Sequence, residues 1–227
     1  MLKEVALRAP VAADVFLLNQ AIEMLRAYSL VRRDPGEKML SIHRLVQAVL
    51  QDQLLEAERR TWAERAMLGV GAAFPSDEGD NLEQRGRLLA QALTATQAIK
   101  QYQFMGTEAG RLLFETASFL EVLDDYATTA EPLYQRALHI REQVWGPESL
   151  ETAFTLISLA NLYYEQGKYA EAEPLYQRVL HSVEQQLGPE HPLVISPLNG
   201  LANLYYEQSK YAEVEPLYQR ALYIFEQ

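Results

Sequence analysis

The histidines and the closely spaced carboxylates are the side chains of this sequence that could carry out acid–base or metal chemistry. His139 and His181 lie 42 residues apart, and His191 falls in a turn-rich segment. None of the three has a second ligand four residues away, and the chain has no cysteine to supply a thiolate. Acidic neighbours such as Asp124 and Asp125 belong to polar faces, where hydrated carboxylates are not tuned for acid–base catalysis. These residues predict no metal site.

The motifs of the common hydrolases are also missing. The sequence contains neither H-E-x-x-H nor G-x-S-x-G, and it has no nucleophilic cysteine. No G-x-x-x-x-G-K-[ST] phosphate loop occurs either, so nucleotide hydrolysis is not expected within these residues. The sequence therefore predicts a chain with no catalytic residues that is not an enzyme.

Charge and composition limit the partners of the chain. The net charge is −11, and residues 126–227 carry 6 basic and 13 acidic side chains. Such a surface repels nucleic acid and attracts a basic peptide. The alternative is that the acidic residues only keep the protein soluble. Glu4 and Asp14 interrupt the apolar start, and no run of eighteen apolar residues follows, so neither a secretion signal nor a membrane span is expected. The absence of cysteine fits a reducing compartment, and the prediction is cytoplasmic.

The elements that would position any functional side chain come from a repeat of 42 residues. The hexapeptide EPLYQR begins at Glu131, Glu173 and Glu215, and three copies at one spacing exclude chance. Within each copy the apolar residues recur at helical intervals, interrupted by EQGKY, in which Gly167 terminates a helix, or by EQSKY with Ser209. Each copy therefore predicts a helical hairpin, and stacked copies bury their apolar faces against each other.

The segments before the repeats differ in kind. Residues 1–55 predict a helix, two short strands around Asp34-Pro35-Gly36 and a second helix, which is the end of a winged-helix unit. Residues 56–107 predict a helical spacer, and residues 108–227 predict three hairpins. The predicted fold class is all-α, with one short β-ribbon in the N-terminal part.

The hairpins carry a small-x₂-aromatic-x₃-Gly-x-Tyr-x₂-Ala pattern, in Ala160, Tyr163, Gly167, Tyr169 and Ala172. This pattern resembles the tetratricopeptide repeat, and the 42-residue period with LGPEHP resembles its kinesin-light-chain subtype. The resemblance implies a superhelix whose concave side is lined by the first helix of each hairpin. Carried onto this chain, the predicted groove residues are Phe154, Ile157, Asn161, Tyr164, Ser196, Asn199, Asn203 and Tyr206.

These groove residues suit a protein or peptide ligand. An asparagine can donate to and accept from an extended peptide backbone, and a tyrosine offers apolar area with one polar tip. The alternative for Tyr164 and Tyr206 is that they only pack on the neighbouring hairpin.

The segment SIHRLVQAVL resembles the end of the winged helix of bacterial NB-ARC ATPases of the STAND class. In that family a histidine of this segment contacts the ADP phosphate, which implies that His43 senses nucleotide when the ATPase domain is present. ATP or ADP is then a ligand only of the larger protein, and this chain needs no cofactor of its own. Without the resemblance, His43 is a polar residue at a strand-to-helix junction.

Two functions follow from these expectations. The first is a protein-interaction module that senses a ligand for a STAND-type signalling ATPase. The alternative is a structural scaffold or autoinhibitory arm without a separate ligand. The last helix presents Leu217 and Phe225 with no polar helix after it, so either further repeats cover it in a longer protein or it pairs with another copy. The scaffold alternative predicts self-association through that helix.

Overall fold

The structure is a computed structural model that describes residues 31–34, 39–42, 54–76, 81–123 and 127–227. It divides into two compact units, residues 1–60 and residues 61–227. The predicted segment limits, 1–55, 56–107 and 108–227, remain predictions.

The first unit contains a two-stranded antiparallel ribbon. Strand β1 (Val31–Asp34) pairs with β2 (Met39–Ile42), with Val31 opposite Ile42 and Asp34 opposite Met39. The two strands expected around the Asp34-Pro35-Gly36 turn are therefore present. His43, the helix predicted before the ribbon and residues 43–53 of the helix predicted after it lie outside the described residues, so the winged helix remains a prediction.

Eight α-helices follow in the ranges that the structure describes. Their bounds are α1 Glu56–Ala73, α2 Leu82–Tyr102, α3 Thr107–Val122, α4 Ala127–Trp145, α5 Leu150–Glu165, α6 Tyr169–Leu187, α7 Ile195–Glu207 and α8 Tyr211–Phe225. A short 3₁₀ turn, Pro192–Val194, precedes α7. No helix in these ranges combines the length and apolarity needed to cross a membrane.

The second unit is a stack of helical hairpins. Helices pack most extensively within the pairs α3/α4, α5/α6 and α7/α8, and each pair also packs against the next through α4/α5 and α6/α7. Leu156 of α5, Val183 of α6 and Leu198 of α7 belong to one buried cluster, which continues to Ile224 of α8. The apolar face of each hairpin is thus covered by its neighbour, and the predicted all-α fold of stacked hairpins is confirmed.

The residues that the sequence predicts at helix ends have positive backbone φ angles. Gly167 has a φ of 70°, and Ser209 at the same repeat position has a φ of 60°. Gly188, which ends α6, combines a φ of 97° with a ψ of 160°. The LGPEHP sequence predicts a left-handed glycine at this helix end, but the ψ of Gly188 places it instead in a region that is essentially restricted to glycine.

Replacing Gly167 by alanine should destabilise the chain. A Cβ at a left-handed position meets the following carbonyl oxygen, so we expect the free energy of unfolding to fall by about 1 kcal/mol. Gly69 of α1 has nothing within 4 Å of an added Cβ, so Gly69→Ala should instead raise it by up to about 1 kcal/mol. Urea titrations of the two variants check this, and equal effects would contradict it.

Three prolines lie inside the second helices without interrupting them. Pro132, Pro174 and Pro216 fall within α4, α6 and α8, which remain helical on both sides. An irregular first turn is expected at these prolines. The α8 helix does begin with a tighter bond, from Glu213 N–H to the carbonyl oxygen of Lys210 three residues earlier at 3.1 Å, whereas α6 begins with an ordinary bond from Ala172 N–H to Lys168 O of 3.1 Å. The carbonyl that Pro174 leaves unpaired is that of Ala170, an exposed residue, so water can satisfy it.

Candidate functional site

A cleft of about 600 Å³ lies where α5, α6 and α7 meet. Its lining comes from two consecutive hairpins and the 3₁₀ turn between them. The lining residues are Asn161, Tyr164, Glu165, Tyr176, Pro192, Ile195, Ser196, Asn199, Gly200 and Asn203.

The structure brings together five of the eight predicted groove residues at this cleft: Asn161, Tyr164, Ser196, Asn199 and Asn203. Phe154 and Ile157 line a smaller adjacent cavity of about 160 Å³, which also includes Ser196. Tyr206 lines neither cavity and is 57 % exposed.

Tyrosines of the second helices hold two of the three groove asparagines, Asn161 and Asn203, in place. The Tyr176 hydroxyl donates to Asn161 Oδ1 at 2.7 Å, and the Tyr218 hydroxyl donates in the same way to Asn203 Oδ1. Burial raises the pKa of Tyr176 above its usual value, with Tyr164 next among the causes, so this hydroxyl keeps its proton. Each asparagine is thereby oriented, and its Nδ2 group has no acceptor among the described residues.

Gly200 allows α7 to approach the Tyr176 ring closely. A Cβ built on Gly200 would lie 2.4 Å from Tyr176 Cε1, which is closer than real Cβ contacts. The ring itself is 1 % exposed and packs with Leu201 and Leu204 of α7. The Tyr176 ring therefore forms the base of the cleft, between Asn161 and Gly200.

Two models of known protein families match this sequence. A model described as tetratricopeptide repeat matches residues 113–183 and 159–227, which together make up just over half of the chain. The chain belongs to the tetratricopeptide repeat family. Repeats of this family are generally protein–protein interaction modules. A second model, described as a domain of unknown function (DUF7779), matches residues 3–59.

A solved structure shares the fold of these tetratricopeptide repeats. BtubC (BKLC) from P. vanneervenii has a TM-score of 0.57 and 17 % identity, over 75 % of this chain and 74 % of that chain. A Podosopora anserina protein described as a kinesin light chain with nearly identical TPR-like repeats has a TM-score of 0.49 and 18 % identity, over 74 % and 86 % of the two chains. The likeness to BtubC shows the fold alone. No curated protein sequence matches the chain significantly.

Two pairs of tyrosines in the tetratricopeptide repeats have ring contacts within their own hairpins. The ring centroids of Tyr164 and Tyr169 are 5.7 Å apart, and those of Tyr206 and Tyr211 are 5.6 Å apart. Tyr164 also packs, half-buried, against the cluster that contains Leu201 and Leu204 of α7, which is the contact with the neighbouring hairpin given above as the alternative. Partial burial, with Glu207 as the next cause, raises the pKa of Tyr164, which remains a neutral donor.

The histidines of the second unit lie away from the cleft lining. His139 and His181 are exposed, and His191 Nδ1 accepts from Leu193 N–H at 3.2 Å, which caps the 3₁₀ turn. Within the described ranges, no three histidine, aspartate or glutamate side chains converge as a metal site would require.

Sequence reasoning missed Tyr176 and Gly200 as parts of the cleft. Tyr176 occupies the tyrosine position of EPLYQR, which recurs as Tyr134 and Tyr218. That periodicity indicates burial, but it does not indicate that the hydroxyl reaches an asparagine fifteen residues earlier. Gly200 follows Asn199 at the position that Ser158 occupies one repeat before.

Proposed function

We propose that the tetratricopeptide repeats bind a protein or peptide segment in extended conformation along the cleft between α5 and α7. The observation that carries the proposal is the pair of tyrosine-held asparagines, Asn161 and Asn203. Because the tyrosine hydroxyls engage the Oδ1 atoms, the Nδ2 groups are directed donors. Donors of this kind suit the carbonyl oxygens of a peptide backbone.

The charge around the cleft favours a basic ligand. Glu165 lines the cleft, and no lysine or arginine is among its lining residues. The chain as a whole carries a net charge of −11. A lysine or arginine side chain of the ligand would be attracted to the negative charge near Glu165. The association rate of such a ligand would fall as salt is added.

The wider role is also part of the proposal. We place these repeats behind a STAND-type ATPase domain of a bacterial signalling protein, in the cytoplasm. His43 would then contact nucleotide in the complete protein. The resemblance of SIHRLVQAVL and the antiparallel ribbon that ends at Ile42, directly before His43, support this placement.

A binding titration tests the cleft. Peptides are selected on the full chain from a random library with a fixed central lysine, and the best one is titrated by calorimetry. Each asparagine contributes about 1 kcal/mol through its hydrogen bond, so Asn161→Ala with Asn203→Ala should weaken binding about 30-fold.

The chain offers a matched control for this double variant. Gln143 and Gln185 are exposed polar residues that also lie 42 residues apart, one on α4 and one on α6. Gln143→Ala with Gln185→Ala should leave the affinity unchanged. Equal binding by the wild type and the asparagine double variant would remove the cleft from the proposal.

The alternative is a structural arm that self-associates through its last helix. The exposure of Phe225, 78 %, is the observation that favours it. Sedimentation velocity separates the two roles, because only this alternative expects dimers of the full chain.

A further inference from the structure

The cavity of about 160 Å³ beside the cleft is apolar and lies between α5, α6 and α7. Eight of its nine lining residues have apolar side chains, and the ninth is Ser196. Because Ser196 also lines the cleft, the two spaces share a border. We call this cavity the apolar pocket.

The apolar pocket reaches from the core of the stack to its surface. Val179 and Val183 of α6, which line it on one side, are each only 3 % exposed. Phe154 of α5 and Leu193 of the 3₁₀ turn also line it, and they are 48 % and 37 % exposed. A space with so few polar groups holds water poorly, so it favours an apolar occupant.

All elements around the apolar pocket are internal to the stack. Helices α5 and α6 form one hairpin, and α7 of the next hairpin packs against α6. A hairpin that followed α8 would pack on α8 in the same way, because each repeat contacts only its neighbours. A further repeat therefore does not account for the open space between α5 and α7.

The corresponding space one repeat earlier is filled by an arginine. Arg141 of α4 lies 42 residues before Val183. Its Nη1 donates to Thr155 Oγ1 at 2.8 Å and to the carbonyl oxygen of Glu151 at 3.0 Å, and both of these acceptors are on α5. Its guanidinium carbon lies 4.4 Å from the centre of the Phe114 ring on α3. One long side chain thus occupies the space between α3 and α5.

Three replacements leave the later space empty and apolar. The residues that stand 42 positions after Arg141, Thr155 and Glu151 are Val183, Pro197 and Leu193. A valine is too short to cross between the helices, and a proline offers no hydroxyl to a polar group. The repeat therefore differs here in the one feature that would close the pocket from inside.

We propose that the apolar pocket receives a leucine or phenylalanine side chain of the peptide that binds in the cleft of Asn161 and Asn203. This inference rests on the proposed function and specifies its ligand. A dry apolar cavity of about 150 Å³ accepts a benzene molecule, so the volume suits either side chain. The border at Ser196 gives the bound peptide access from the cleft.

The distance to Glu165, the acidic residue of the cleft, defines the ligand further. Ile157 lines the apolar pocket and lies eight residues before Glu165 on α5. Eight residues of helix span about 12 Å, and an extended peptide covers that distance in about four residues. The bound segment therefore carries its leucine or phenylalanine about four positions from the lysine or arginine that approaches Glu165.

Selection from the random peptide library with a fixed central lysine tests this spacing. Among peptides selected on the full chain, leucine or phenylalanine should be enriched about four positions from the lysine. Replacing that residue by alanine in the best peptide should weaken binding at least about tenfold, because the burial of its side chain is lost. A selected set with no apolar residue at a fixed distance from the lysine would overturn the inference.

A variant that fills the apolar pocket gives a second measurement. Val183→Arg with Pro197→Thr reproduces the pair that Arg141 and Thr155 form one repeat earlier. The filled variant should bind the best peptide about tenfold more weakly than the wild type does. It should bind the alanine version of that peptide as well as the wild type does, because the two changes remove the same contact.

An exposed position keeps the test independent of folding. Thermal unfolding checks the filled variant, and Phe154→Ala on the exposed wall replaces it if it is unfolded. Phe154→Ala should weaken binding of the best peptide severalfold. Trp145 is the matched control, because it is 51 % exposed on α4 and lines neither the apolar pocket nor the cleft. Trp145→Ala should leave the affinity unchanged.

The outcomes separate this inference from the proposed function. If the asparagine double variant binds the best peptide weakly while the filled variant binds it as the wild type does, the cleft remains and the role of the apolar pocket is overturned. Equal binding by the wild type and the asparagine double variant would overturn the proposed function, and this inference with it.

Discussion

Tyr176→Ala should cost the chain about 4 kcal/mol of unfolding free energy, near the upper end for removal of a buried aromatic ring. The Tyr176 ring is 1 % exposed and packs with Ala160, Ala172, Leu201 and Leu204 from three helices. Its removal leaves a cavity between two hairpins that α7 cannot fill without moving. The hydroxyl bond to Asn161 is lost as well.

Tyr218→Ala is the matched control, because Tyr218 has the same repeat position and the same kind of asparagine partner. It is 40 % exposed, so its removal should cost about half as much. Denaturant titrations of both variants measure the difference. Equal losses would contradict the covering role that the structure gives to α7.

Tyr176→Phe separates packing from hydrogen bonding in the same residue. The ring remains, so stability should fall by only about 1 kcal/mol. Asn161 loses the group that orients it, and peptide binding should weaken although Asn161 itself is unchanged.

The repeat made the hairpins predictable from the sequence because helical spacing and helix ends are local properties. Gly167 and Ser209 mark the turn between paired helices, and both have positive φ angles. The groove positions of α5 and α7 came from the resemblance to tetratricopeptide repeats, and the structure brings Asn161 and Asn203 to one cleft.

The contacts across hairpins were not predictable in the same way. Helical spacing indicates that Tyr176 faces inward, but the position of its hydroxyl depends on how closely α5, α6 and α7 approach one another. Gly200 sets the α6–α7 approach, and its effect is visible only when the Tyr176 ring is placed beside it. The same limitation applies to Tyr206, which shares a repeat position with Tyr164 and yet lies outside the cleft because no further helix extends the lining past it among the described residues.

The irregular first turn expected at the prolines forms in α8, which begins with a bond from Glu213 N–H to Lys210 O, but it does not form in α6. Pro174 and Pro216 each remove a backbone donor from a helix interior, which predicts a disturbed turn. The carbonyls left unpaired belong to Ala170 and Ala212, and both of these residues are exposed. Solvation of a carbonyl depends on which side of the helix the neighbouring hairpin leaves open, and the local sequence does not contain that information.

Gly200→Val should destabilise the chain by about 3 kcal/mol, at the upper end of the range for overpacking. The first added atom would lie 2.4 Å from Tyr176 Cε1. The ring cannot turn away cheaply, because it is buried and its hydroxyl is bonded to Asn161 at 2.7 Å. Either α7 moves outward, which opens the apolar contact between hairpins, or the ring moves and releases the asparagine. Peptide binding in the cleft should therefore fall with stability.

Gly69→Val is the control for helix propensity, because an added Cβ at Gly69 meets nothing within 4 Å. Its effect should stay within about 0.5 kcal/mol. The decisive measurement is the double variant Gly200→Val with Tyr176→Ala, in which the space vacated by the ring accepts the valine. Its loss should be smaller than the sum of the two single losses by about 2 kcal/mol. Additive losses would show that Gly200 and Tyr176 act independently, and the close approach of α7 would then not be what shapes the cleft.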